Sequence, residues 1–422
     1  MANFNFIERK VANLLRSNPL IKMYIKNFYQ RLAYYLYKKP YKSRSNEKVM
    51  IIESSGYESF FGYYDNNPRR GDYELYHITS IPTSIEPLKS LSMEKDCFVI
   101  VKSLINDEIV FKAKTLAFNW QQGAKLQWVS DNSFIYNDII KDSVKSILVN
   151  LDTGNKEILD EPVYDAFNNK FYLSLDYRPL SKLRPDYAYF TKSDLGKINF
   201  EYQSIKKVHY DGECEIVIDL SSLLEKYPLV FDCDYSKQKF NHIMISKDGS
   251  QAIFLHRAYT TSGVRVDRLF SVSLVNDYEV KLISDSGMIS HYCWVNDSTI
   301  LAYMKHNDIN GYYFIDLDKV VFTNVNVDEL DGYGDGHPTY IGNGKFITDT
   351  YPDKSRMKSL LLVDTVNKDI KVLAEFLEPL KYRNQTRCDL HPKWDEFNDY
   401  IYFDSVHEGV RALYKIRIGN GL

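Results

Sequence analysis

Four stretches of this chain open with histidine and then run alike: a short strand, a polar turn, an apolar strand. They are His242-Ile-Met-Ile-Ser-Lys-Asp-Gly-Ser-Gln-Ala-Ile-Phe-Leu, His291-Tyr-Cys-Trp-Val-Asn-Asp-Ser-Thr-Ile-Leu-Ala-Tyr, His337-Pro-Thr-Tyr-Ile-Gly-Asn-Gly-Lys-Phe-Ile-Thr and His391-Pro-Lys-Trp-Asp-Glu-Phe-Asn-Asp-Tyr-Ile-Tyr-Phe. The leading histidines stand 49, 46 and 54 residues apart. Such a period suits a four-stranded propeller blade. Weaker copies start near Tyr63 and Lys125, and a degraded one runs through Phe171 to Phe190, in the 117 residues that separate Lys125 from His242. Residues 49–422 shared among seven blades give about 53 residues each, in line with those spacings. The expected architecture is all-β: a seven-bladed β-propeller over 49–422, preceded by a cationic helical extension over 1–48.

Residues 1–45 carry ten basic side chains (Arg9, Lys10, Arg16, Lys22, Lys26, Arg31, Lys38, Lys39, Lys42 and Arg44) against one acid, Glu8. The net charge of the whole is −3, so the remainder is strongly acidic, and broad nucleic-acid binding is not expected. In the extension, apolar residues from Phe6 to Leu36 recur at three- and four-residue steps, interrupted at Asn18-Pro19. Two readings stand for this segment. It lies along an anionic membrane surface, as cationic helices rich in Tyr and Phe do, or it packs across a face of the propeller. No run of eighteen apolar residues predicts a membrane span, and the N-terminus has no secretory h-region. The expected location is cytoplasmic, peripheral on the inner face of the cell membrane. Five cysteines without CxxC spacing argue against a disulfide scaffold or a zinc module, and favour a reducing compartment. GxGxxG, GxxxxGK[ST], HExxH and GxSxG are all absent, so no nucleotide cofactor and no hydrolase triad are expected.

In a propeller the first strand of each blade lines the central channel, so residues at one repeat phase meet in space. A lone buried histidine is most often core packing. Four of the chain's nine histidines at one phase favour a channel site, with inter-blade hydrogen-bond networks as the blander alternative. Polar residues cluster beside them: His256, Arg257, Arg265, Asp267 and Arg268; Asp335, Asp349, Tyr351 and Asp353; Arg387 and Asp389; His407, Glu408 and Arg411. Imidazoles and carboxylates at one mouth suit a divalent metal such as Mn, Fe or Zn, and arginines grip a carboxylate in bidentate fashion.

On these residues the chain resembles the oligogalacturonate lyases, seven-bladed members of the wider TolB-like propellers. The resemblance implies that His256 is the catalytic base, with Arg257 or Arg268 steadying the reacting carboxylate. It implies metal ligation by His291, Asp389 and His391, with His337 as a further ligand. Asp389 stands where the family run Gln-x-x-His-x-His-Pro has its first histidine. Arg265, Asp349, Tyr351, Asp353, Arg387, His407, Glu408 and Arg411 would then hold the substrate. The chain is also similar to bacterial propellers, many in surface-polysaccharide gene neighbourhoods, that share Phe61–Asp65 (Phe-Gly-Tyr-Tyr-Asp), Asp335–Pro338 (Asp-Gly-His-Pro), Asp349–Asp353 (Asp-Thr-Tyr-Pro-Asp) and His407–Gly409 (His-Glu-Gly). The expected function is metal-assisted β-elimination on an acidic, uronate-containing glycan. The alternatives are a non-catalytic propeller that binds glycan or protein in a membrane-associated assembly system, and glycosyl transfer or hydrolysis through Asp349, Asp353 and Glu408.

Overall fold

A computed structural model describes residues 19–52, 56–87, 96–191, 198–275 and 277–418. The strands form seven antiparallel sheets, the seven blades expected from the repeats. Blade one spans 58–115, two 127–159, three 165–219, four 238–287, five 289–324, six 339–377 and seven 393–417. The ring is closed by the chain's own beginning: Val49–Ile52 pairs with Ala412–Arg417 as the outermost strand of blade seven. Just before it, Ser43–Ser45 adds a fifth strand to the edge of blade six. Within the expected 1–48 segment the described helix runs Pro19–Tyr37, and after five irregular residues the chain turns to strand at Ser43.

The hydrophobic core sits between blades rather than in the channel. Met244, Leu255 and Leu269 of blade four meet Tyr292, Trp294 and Ile300 of blade five, and equivalent apolar layers fill the other gaps. Both faces of each second strand are covered, so these strands read as apolar runs instead of alternating ones.

Blade three is the irregular one. Its second strand, Phe171–Leu175, is followed by a short helix, Arg178–Leu183, and a turn, Pro185–Tyr187, before the third strand at Ser204–His209. The faint repeat at 171–190 is thus one strand plus an insertion, and the insertion reaches toward the channel.

The channel is plugged by the motif Phe61–Asp65. Asp404 accepts the backbone N–H groups of Phe61 and Gly62, each at 3.0 Å. Gly62 adopts φ +117°, and a Cβ there would lie 2.7 Å from the Gln122 carbonyl carbon. Asp65 is tied to Lys125 at 2.5 Å, and the Tyr64 hydroxyl donates to the Tyr292 carbonyl at 2.9 Å. Glycine is required on two counts, backbone conformation and clearance. Gly62→Val is expected to cost on the order of 1–3 kcal/mol from the backbone strain alone. Denaturant unfolding checks this, and an unchanged midpoint would contradict the plug.

Candidate metal centre and its cationic mouth

The four blade-leading histidines converge around this plug, and each is released from the sheet ladder in its own way. His242 and His291 sit at register shifts in their strands, where the pairing skips them. His337 and His391 lie in the loops just before blades six and seven. Their rings form a continuous cluster, with centroids 4.0 Å apart for His291 and His337, 4.3 Å for His337 and His391, and 6.0 Å for His242 and His291.

One carboxylate orients two of them. Asp349 Oδ1 accepts both the backbone N–H and Nδ1 of His337 at 2.8 Å, and its Oδ2 accepts the His391 N–H at 3.0 Å. Gly336 permits this approach, since a Cβ there would overlap the Asp349 carbonyl oxygen. His391 Nδ1 donates to the Gly62 carbonyl at 3.1 Å. Both rings are thereby fixed with Nδ1 protonated, leaving Nε2 of His337 and Nε2 of His391 as buried atoms without a partner among the described residues. Ligand atoms of His337, His391 and Asp389 lie within 4.8 Å of one another. His291 flanks this trio, its Nδ1 3.1 Å from Asp335 Oδ1, while the Ser290 hydroxyl donates to Asp335 Oδ2 at 2.6 Å.

Protonation states suit ligation. Burial holds His391 well below the usual histidine range, with His337 adding to it, and brings His291 down to about 4. Burial by itself would raise Asp389, but Lys358 at 3.2 Å and Arg387 at 2.7 Å overcome it and keep the carboxyl well below its ordinary value. Neutral imidazoles beside an ionised carboxylate are what a metal requires, and an Nδ1–H anchored on a carboxylate or carbonyl is the usual support of a metal-bound histidine. Asp389 keeps lone pairs beyond those its two cations use. The residues present therefore fit a divalent cation.

Around the trio lies a cationic mouth. The blade-three insertion brings Arg184, Asp186 and Tyr187 to the loop before blade seven, where Asp186 meets Arg387 at 2.7 Å and Arg184 at 2.9 Å. The Tyr187 ring is 5.4 Å from that of His242. Blade four adds part-exposed Arg265 and buried Arg257, on Asp267 at 2.9 and 3.0 Å, the latter also donating to the Ile289 carbonyl at 3.1 Å, and, fully buried, Lys239. No carboxylate among the described residues pairs with Lys239, whose amine donates to the Tyr259 hydroxyl at 2.9 Å. Burial, reinforced by Arg257, Arg184 and Arg265, lowers its pKa to about 6. Cations outnumber acids here, so the mouth is suited to an anion.

The remaining residues singled out from sequence fall in several places. Tyr351 lies beside the cluster, its ring 6.0 Å from His337. Asp349 is spent on positioning the histidines. His256 faces Gln238 at 2.9 Å inside blade four, held at about 3 by burial, with no hydrogen bond or ring contact to the other histidines. Arg268 donates to the Tyr227 carbonyl at 2.7 Å. Arg411 staples the Trp120 and Arg387 carbonyls, each at 2.7 Å. His407 packs on Phe376 and Tyr414, Glu408 is half-exposed near Lys42, and Asp353 caps the turn to Met357. Arg184, Asp186, Tyr187 and Lys239 were not singled out from sequence; the surplus length of blade three was the only hint of the first three.

No family model matches the chain, and no curated protein matches it in sequence. Among solved structures it is similar to an oligogalacturonate lyase in complex with manganese, at TM-score 0.59 and 12% identity over 91% of this chain and 96% of that one. A second similar structure is the oligogalacturonate lyase of Vibrio parahaemolyticus, at TM-score 0.60 and 14% identity over 90% and 96%. The chain shares the oligogalacturonate lyase fold. At such identities the likeness extends to the whole ring of seven blades, and the site must be argued from this chain's own residues.

Asp349→Asn is expected to leave every proposed ligand in place yet weaken Mn²⁺ binding about 10- to 100-fold, because one acceptor oxygen becomes an amide donor and can no longer hold both the His337 group and the His391 N–H. Titration calorimetry checks it, and an unchanged affinity would remove Asp349 from the account.

Proposed function

We propose that this propeller cleaves an acidic, uronate-containing glycan by metal-assisted β-elimination. The observation that carries the reading is the pair of partnerless Nε2 atoms on His337 and His391, aimed with ionised Asp389 into a mouth rich in arginine. The shared fold supports it, since one structure of that fold is an oligogalacturonate lyase in complex with manganese. His337, His391 and Asp389, with His291 alongside, would hold the cation. A divalent ion there supplies Lewis acidity toward a substrate carboxylate, easing loss of the neighbouring proton.

The chain's own groups do the rest. Arg265, part-exposed beside Asp267, would grip a carboxylate through its guanidinium, and Arg387 would add a second, while buried Arg257 backs Asp267. Tyr351, part-exposed beside the cluster, would provide aromatic surface against which a sugar ring stacks. Lys239 is the proton acceptor: with a pKa of about 6 its amine is largely neutral at pH 7, and a base tuned near the working pH is the efficient one. It takes the proton beside the carboxylate, the bond to the 4-linked oxygen breaks, and the electron pair becomes the double bond of an unsaturated uronate. The departing oxygen takes a proton from solvent.

Supplied with acidic oligosaccharides and Mn²⁺, the protein is expected to generate the ultraviolet absorbance of an unsaturated uronate. Its kcat/KM should rise through about pH 6, as Lys239 loses its proton, and level off above. Lys239→Met should retain bound Mn²⁺ and lose about 100-fold or more in kcat/KM. Full activity in Lys239→Met with loss in His256→Gln would transfer the base to His256. No absorbance across a broad panel of acidic glycans, with metal bound, would overturn the reading.

A further inference from the structure

The helix Pro19–Tyr37 is held at the outer edge of blade six by the strand that follows it and by the Tyr41 hydroxyl, which donates to Glu375 at 2.9 Å. One side faces the propeller: Ala33 is buried, and Tyr29 and Gln30 border a cavity of about 850 Å³ whose far wall includes Thr350 and Tyr351. Tyr351 also touches the histidine cluster, its ring 6.4 Å from His291, so this cavity adjoins the metal centre.

No described residue of the propeller covers the other side of the helix. Tyr24, Phe28, Tyr35 and Leu36 are 69%, 70%, 74% and 67% exposed, and Leu32 between them is also exposed. At steps of four, four, three and one they make a single stripe. Scattered apolar side chains are ordinary on a protein surface, but a contiguous stripe of large ones marks a contact surface. Charge selects the partner. Between residues 19 and 44 the chain carries Lys22, Lys26, Arg31, Lys38, Lys39, Lys42 and Arg44 and no acid at all. A second copy docking on this stripe by a two-fold contact would set the same seven cations against themselves. Residues 1–18 are net positive as well, with Arg9, Lys10 and Arg16 against Glu8, so their charge does not complement the helix. No helix among the described residues is long and apolar enough to cross a membrane.

We propose that the stripe Tyr24–Leu36 lies in the interface of an anionic lipid surface, with the flanking lysines and arginines at the headgroups, which sets the cavity beside the metal centre against that surface. The inference is independent of the reaction proposed above, because docking needs neither metal nor turnover. The whole chain is mixed with vesicles of phosphatidylcholine alone and with vesicles of phosphatidylcholine and phosphatidylglycerol in equal parts, then sedimented. Binding is expected on the anionic vesicles, about tenfold weaker on the neutral ones and weakened by added salt. The double variant Phe28→Glu, Tyr35→Glu should lower anionic binding about tenfold while its melting temperature and Mn²⁺ content stay unchanged. Absence of binding to anionic vesicles, equal binding to neutral ones, or indifference to the double substitution would overturn it. So would a dimer in solution that the double substitution dissociates, which would assign the stripe to a second copy.

Discussion

A single carboxylate, that of Asp349, spans the gap between the sixth and seventh blades and fixes the histidine that leads each of them. Its position depends on the absence of a side chain at Gly336, and the ring it helps orient, His391, is anchored at its other end on the carbonyl of Gly62. Gly62 in turn is held by Asp404. Asp349, His391, Gly62 and Asp404 thus form one chain of contacts linking blade six, blade seven and the channel plug. Removing any link frees an imidazole, and the two Nε2 atoms stop pointing at a common place. Buried polar networks of this kind are valuable when every member is satisfied, and here the only members left unsatisfied are the two atoms aimed at the centre.

Electrostatics divides the site into two halves with different tasks. Around the trio, ionised Asp389 is sandwiched between Lys358 and Arg387, and burial keeps the His391 and His291 imidazoles below the usual histidine range. On the blade-four side, Arg257 and Arg265 share one acid, Asp267, so positive charge is left over, and buried Lys239, with no carboxylate partner among the described residues, gives up its proton more readily. A surplus of cations beside a group of neutral donors is a poor arrangement for stability alone and a useful one for binding an anion.

The fold was legible because a repeat needs no knowledge of tertiary contacts: the regular return of a blade-leading histidine marks out the blades along the chain by itself. Convergence of the blade-leading residues followed from the same phase argument. Roles were harder to read. His256 has the local sequence of a catalytic residue, yet strand pairing turns it onto Gln238 within its own blade. Asp349 resembles a substrate ligand in a polar motif, but backbone N–H groups two loops apart consume its lone pairs. Arg184, Asp186 and Tyr187 reach the mouth from an insertion, which follows no period and whose destination is set by packing. Lys239 was invisible for a different reason, since its character comes from three arginines that only folding brings near it.

The central claim is that His337, His391 and Asp389 make one divalent-cation site, and the most direct test is crystallographic. Crystals of the protein soaked in Mn²⁺ and measured at the manganese absorption edge should show an anomalous peak within coordination distance of both Nε2 atoms and the Asp389 carboxylate. A peak elsewhere, or none at saturating Mn²⁺, would contradict the account.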